Sequence, residues 1–86
     1  MGWDIQINPT AEAFPITHNL VELLDEYATD FEMKYCYIQK DPQLIASLQA
    51  YRPADDGEAT VVEQLIRRLE SLGEEEDDWV ELLFGH

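Results

Sequence analysis

Nineteen aspartates and glutamates stand against five lysines and arginines in this chain of 86 residues, for a formal net charge of −14. Five cations are too few to neutralise that many carboxylates by internal ion pairs. Self-repulsion on this scale opposes the compact state. A chain of this length makes one domain, residues 1–86, and can bury one modest core and little else. Any fold must set that core against the repulsion. A hydrophobic fraction of 45% supplies the apolar residues for it and speaks against wholesale disorder. A net charge of about 2–8 already keeps a small domain soluble, so the excess points to a use.

The same charge sorts the partners. It repels the phosphates of nucleic acid and the surface of an anionic membrane, and it favours a protein with a basic surface. Cys36 is the single cysteine, so no disulfide forms within the chain, as suits a reducing compartment. The opening Met1-Gly2-Trp3-Asp4 lacks the basic and apolar regions of a signal peptide. Gln6 stands where a myristoylation signal wants Ser or Thr. No apolar run approaches the roughly 18 residues that cross a bilayer. The expectation is a cytoplasmic protein.

Periodicity sketches the elements. Trp3-Asp4-Ile5-Gln6-Ile7 alternates apolar and polar residues, as a strand does, and Asn8-Pro9 ends it. Residues 10 to 15 read as a connector closed by Pro15. From Thr17, a candidate N-cap, Leu20, Leu23, Leu24, Tyr27 and Phe31 keep the spacing of one helix face. Tyr35 and Ile38 continue that stripe, which favours a helix running to about Lys40. Residues 33 to 38 are also rich in strand formers and, as a strand, would pair with residues 3 to 7. Asp41-Pro42 is a strong helix start, followed by Leu44, Ile45, Leu48 and Tyr51. Residues 53 to 57 read as a loop. A further helix over 58–72 buries Val61, Val62, Leu65, Ile66, Leu69 and Leu72, with Gly73 as its stop. The apolar tail, Trp79 to Phe84, fits a helix or a strand. As a strand it alternates Val80, Leu82 and Phe84. Together these readings predict a mostly α fold. It is a small bundle of three to four short helices, with at most a minor two-stranded β element joining 3–7 to 33–38.

Chemistry finds little to work with. Cys36 lies between two tyrosines, without a charge to stabilise a thiolate or a group to orient a base. His18 and His86 are far apart, and one cysteine with two separated histidines makes no zinc site. Asp55-Asp56-Gly57-Glu58 is a fragment of a calcium loop without the twelve-residue spacing. No glycine-rich phosphate loop exists. The expectation is a protein that is not an enzyme and that has no catalytic residue, metal or cofactor.

What remains is the arrangement of charge. On a continuous helix Glu22, Glu26 and Asp30 line up one turn apart, about 5–6 Å between neighbours, with Asp25 thickening the row. That spacing is on the scale of phosphates along a nucleic-acid strand. Glu58, Glu63, Glu70 and the run Glu74, Glu75, Glu76, Asp77 and Asp78 supply a second row. Charge alone seldom binds tightly, so an apolar anchor is expected. The candidates are Trp3, Tyr37, Trp79 and Phe84. Core packing is the expected role for Trp79 and Phe84, whereas Tyr37 suits contact and core equally. A helix continued past Phe31 would put Met33, Cys36 and Tyr37 on its outer side as an apolar spot.

Size and acidity are like those of several groups of small inhibitors: phage nucleic-acid mimics, anti-CRISPR proteins, uracil-DNA glycosylase inhibitors and bacteriocin immunity proteins. The likeness is one of class and no motif carries it. The Tyr-Tyr-Pro segment of the DNase-colicin immunity proteins is missing, the nearest text being Tyr51-Arg52-Pro53. The leading expectation is an inhibitor of the phage anti-defence kind. It would bind a basic, nucleic-acid-binding protein or nuclease by mimicking phosphate charge. The alternatives are an immunity protein against a basic toxin and a structural or adaptor subunit that docks through its apolar C-terminal tail. The oligomeric state stays open.

Overall fold

A computed structural model describes residues 2–8, 12–29, 35–73 and 78–85. It overturns the mostly helical bundle. Three helices and a four-stranded antiparallel sheet make an α+β fold, in the order β1 (Trp3–Ile7), β2 (Ala13–Ile16), α1 (His18–Asp25), β3 (Tyr35–Gln39), α2 (Pro42–Ala50), α3 (Asp56–Ser71), β4 (Trp79–Gly85). The sheet order is β2-β1-β4-β3. The two-stranded element expected between 3–7 and 33–38 does not form. β4 lies between those segments and pairs with both, Ile5 opposite Phe84 and Ile38 opposite Val80.

Each strand follows from its alternation. Ile5 and Ile7 of β1, Cys36 and Ile38 of β3, and Val80, Leu82 and Phe84 of β4 are buried and point to one side. Asp4, Gln6, Tyr37, Trp79, Glu81 and Leu83 take the other side, as antiparallel strands with one solvated face require. β2 (Ala13–Ile16) pairs with β1, with Pro15 opposite Asp4, so residues 13–15 of the expected connector are strand instead. A proline cannot donate to a ladder, and it is tolerated here because β2 is an edge strand.

The first helix is shorter than its apolar stripe suggests. It ends at Asp25, with Glu26 as its C-cap, and the N–H groups of Tyr27 and Ala28 both bond to the Leu24 carbonyl. Thr29 then exchanges backbone hydrogen bonds with Tyr37, at 2.9 and 3.1 Å. Pairing with the sheet thus claims the chain where helix periodicity alone would continue. Leu20, Val21 and Leu24 are buried, while Leu23 and Tyr27 pack at the core's margin. Thr17 is the N-cap residue by position, but its hydroxyl does not cap the helix.

α2 and α3 start as their sequences dictate. The Asp41 carboxylate accepts the Gln43 N–H at 2.8 Å, with Pro42 in the first turn. The Asp55 carboxylate accepts the Glu58 N–H at 2.8 Å, so α3 begins at Asp56, inside the expected loop. Leu44, Leu48, Val61, Val62, Leu65 and Leu69 join the same buried cluster as the inward strand residues. Burying each such side chain is worth about 1.5–3 kcal/mol, and this one cluster is what opposes the charge repulsion. All three described helices therefore cover one face of the sheet. Among the described residues, no helix is long and apolar enough to cross a membrane.

Candidate functional site

The acidic rows are less regular than expected. Glu22 and Asp25 lie exposed on α1, and Glu26 is exposed at its end. Because α1 stops at Asp25, Glu22, Glu26 and Asp30 do not continue as one straight helical row, and Asp30 itself lies outside the described residues. Glu22 stands 3.0 Å from His18 Nε2. In the second row, Glu58 is buried, Glu63 pairs with Arg67 at 2.6 Å, and Glu70 is exposed. Glu74, Glu75, Glu76 and Asp77 lie outside the described residues. Asp78 accepts the Gly73 N–H at 3.1 Å.

Glu58 is instead an internal junction. Its Oε2 accepts the N–H and the hydroxyl of Thr17, both at 2.7 Å. Its Oε1 accepts the Tyr51 hydroxyl at 2.7 Å and the Ala54 N–H at 2.9 Å. One carboxylate thus ties the start of α1, the end of α2 and the loop before α3, near the positive end of the α3 dipole. Burial favours its neutral form, but the bonds from Tyr51, Thr17 and Ala54 outweigh burial and hold the carboxyl below its ordinary value of 4.5. Burial raises the Tyr51 phenol above its ordinary range. Thr17 pulls the other way, and the hydrogen bond and charge of Glu58 add to the rise. The group is only 1% exposed and four donors converge on it, so it holds helices together and presents nothing to a ligand. The calcium-loop likeness of residues 55–58 dissolves in the same way, because Asp55 and Glu58 spend their carboxylates on backbone and hydroxyl donors. Among the described residues no group of three or more metal-ligating side chains assembles.

Cys36 is fully buried, so the outward apolar spot expected to include it does not form. Burial, and then the negative charge of Asp25, push its thiol up to about 12. It stays protonated at neutral pH and is no nucleophile.

The open face of the sheet holds the residues that a partner could meet. No described helix lies on it. Its side chains run in rows across the strands. Gln39 faces Trp79; in the next row Tyr37 faces Glu81, with Thr29 beyond it at the sheet's edge. On the other side of Glu81 stands Asn8, whose N–H donates to the Glu81 carbonyl at 3.1 Å and whose side-chain amide donates to the Glu81 carboxylate. Leu83 faces Gln6, and Gly85 faces Asp4. The Tyr37 and Trp79 rings meet edge to face, with centroids 5.6 Å apart and planes at 72°. Thr29, Tyr37, Gln39 and Trp79 line a shallow depression of about 340 Å³. Trp79 is 49% exposed, the one large hydrophobic residue so exposed among those described. It was expected in the core, as Phe84 was. Phe84 is buried, with Trp3 packed against it edge to face at 6.3 Å. The signal that places Trp79 outside is the phase of the tail: if Val80, Leu82 and Phe84 face inward, Trp79 and Glu81 must face out.

The described cations do little to neutralise the carboxylates. Among the described residues, Arg67 is the one lysine or arginine in an ion pair, with Glu63. Arg68 donates to the Asn8 carbonyl at 2.6 Å, and Lys40 to the Leu72 carbonyl at 3.3 Å. Comparison with protein-family models, with curated proteins and with solved structures finds no match.

Proposed function

We propose that this chain is a non-catalytic acidic inhibitor that binds a basic, nucleic-acid-binding protein, a nuclease being one such target, and occupies surface that phosphates otherwise contact. The observation that carries the reading is the uncompensated charge. A net charge of −14 is accompanied, among the described residues, by one Arg–carboxylate pair and one His–carboxylate pair, both exposed. Two basic side chains spend their protons on backbone carbonyls instead. A merely solvated surface intersperses both signs, whereas this one leaves Glu22, Asp25 and Glu26 together at one end of α1. Such a field steers a basic partner into encounter. A cytoplasmic setting and an anti-defence role fit the same reading. Docking through the C-terminal tail is less well supported, since the tail is an inner strand of the sheet and Val80, Leu82 and Phe84 are buried in the core.

The test is capture from lysate on the immobilised chain, followed by elution with salt or with duplex DNA. Basic nucleic-acid-binding proteins released by DNA, and lost between roughly 50 and 200 mM salt, are the expected result. Captured proteins that resist both eluents would refute the reading.

A further inference from the structure

Resting on that reading, we infer that the open face of the sheet is the contact surface and that its Tyr37–Trp79 corner receives an arginine side chain of the basic partner.

Three observations converge there. First, the corner is a depression walled by two aromatic rings in edge-to-face contact, one of them, Trp79, half exposed and so open to a third group. Second, the described charged side chain that shares the face of these rings is a carboxylate, and Lys40 lies behind the corner, on the Leu72 carbonyl. Glu81 stands directly opposite Tyr37 and two residues from Trp79 on the same face, and Asp78 precedes Trp79. Cross-strand neighbours lie about 4.5–5.5 Å apart at Cβ, so a cation seated on the rings is within reach of the Glu81 carboxylate. Third, the described side chains of this face include no lysine or arginine: Asp4, Gln6, Ala13, Pro15, Tyr37, Gln39, Trp79, Glu81 and Leu83 point to it. Lys40, next to Gln39 in sequence, is held on the Leu72 carbonyl at the end of α3. An aromatic pair flanked by carboxylates selects a cation with a flat, weakly hydrated face. Arginine has that face and can still present its N–H edge to Glu81, whereas the ammonium of lysine is compact and strongly hydrated. The Asn8 amide, bonded to the Glu81 side chain, orients that carboxylate from the far side.

The corner and the acidic end of α1 then have separate tasks. Trp79 and Glu81 hold the bound arginine and set the off-rate. Glu22, Asp25 and Glu26 act at a distance and set the on-rate.

The experiment titrates the full chain with hexa-arginine and hexa-lysine peptides at low salt, followed by heteronuclear NMR. The expected result is that hexa-arginine shifts the Trp79 indole and the amides of Tyr37, Gln39 and Glu81, and binds several-fold more tightly than hexa-lysine. Trp79→Ala should weaken hexa-arginine roughly tenfold and bring it to the level of hexa-lysine. Because Trp79 is half exposed, the variant should keep the parent's amide spectrum away from the corner. Glu81→Gln, which preserves an acceptor for Asn8, serves as the second variant and should weaken hexa-arginine several-fold. Shifts centred on α1 and α3, with both variants binding like the parent, overturn this inference and leave the basic-partner reading standing. Failure of both peptides to bind at low salt overturns both. Sedimentation as a dimer that buries Trp79 overturns the inference as well, since a second copy would then be the occupant.

Discussion

Glu58 and Glu81 show how differently the two faces of this sheet treat a carboxylate. Glu58 sits on the side covered by helices, is almost wholly buried and receives four hydrogen bonds from three segments. Glu81 points to the open side, opposite Tyr37, with only Asn8 bonded to its side chain among the bonds described. The first is charged because the fold supplies donors that replace water. The second lies partly exposed on the side that no described helix covers. In a chain so rich in carboxylates, the described acidic residues therefore divide into a few that build the fold, Glu58 in the interior and Asp41 and Asp55 as helix caps, and others that the fold displays.

The two faces predict different responses to mutation. Leu82 and Leu83 are neighbours on β4 that point to opposite sides. Leu82→Ala should cost about 2–5 kcal/mol of unfolding free energy, and Leu83→Ala about 1 kcal/mol or less, measured by urea denaturation. Equal losses would mean that the open face is covered and would break the contrast. Glu58→Ala should lose on the order of 3 kcal/mol, because the Thr17 and Ala54 N–H groups are left without their acceptor. A loss below 1 kcal/mol would demote Glu58 to one more surface acid.

Acid sharpens the same point. The folded-state carboxyl of Glu58 is lowered relative to the unfolded chain, so the unfolded state takes up the proton first as pH falls. Its contribution is complete above the unfolded value near 4.5 and is lost as pH falls through the lower folded value. The stability gap between the parent and Glu58→Gln should therefore narrow below pH 4.5, measured from urea midpoints at pH 7 and below pH 4. The smallest effect concerns the end of α1, which carries no basic residue in its last turn. Asp25→Lys and Glu26→Lys place a cation at the negative end of the helix dipole and should each stabilise by about 0.3–1 kcal/mol. The same pair should slow association with a basic partner, as stopped-flow mixing would detect. Destabilisation instead would show that these carboxylates serve the fold.

Much of the framework was legible from the residues. The β1 alternation, the Asp41-Pro42 start of α2 and the α3 stripe are all local patterns, and each element formed largely where its pattern lies, whereas the tail of Val80, Leu82 and Phe84 fitted a helix as well as the strand it forms. The misreadings share a cause. The stripe from Leu20 through Ile38 satisfies a helix period, yet the segment is split because β3 pairs with β4, far away in sequence, and Thr29 turns back to pair with Tyr37. Pro15 looks like a terminator, and it is accommodated only because β2 occupies a sheet edge. In the candidate site, Trp79, expected in the core, is left outside because the tail folds as a strand whose Val80, Leu82 and Phe84 face inward. Nothing local marked Glu58 as buried among exposed acids, since its donors come from Thr17, Tyr51 and Ala54.

By itself, then, the chain determined its charge, its single core's worth of apolar residues and the period of most of its elements, because these depend on composition and on neighbours a few positions apart. Which segments pair, which carboxylate is enclosed and which aromatic is left outside were decided only by the tertiary structure. The pairing and the exposure of Trp79 depend on β4 arriving between β1 and β3, and the enclosure of Glu58 on Thr17 arriving from the start of α1; such long-range contacts compete with local preference, and no short stretch of sequence contains them.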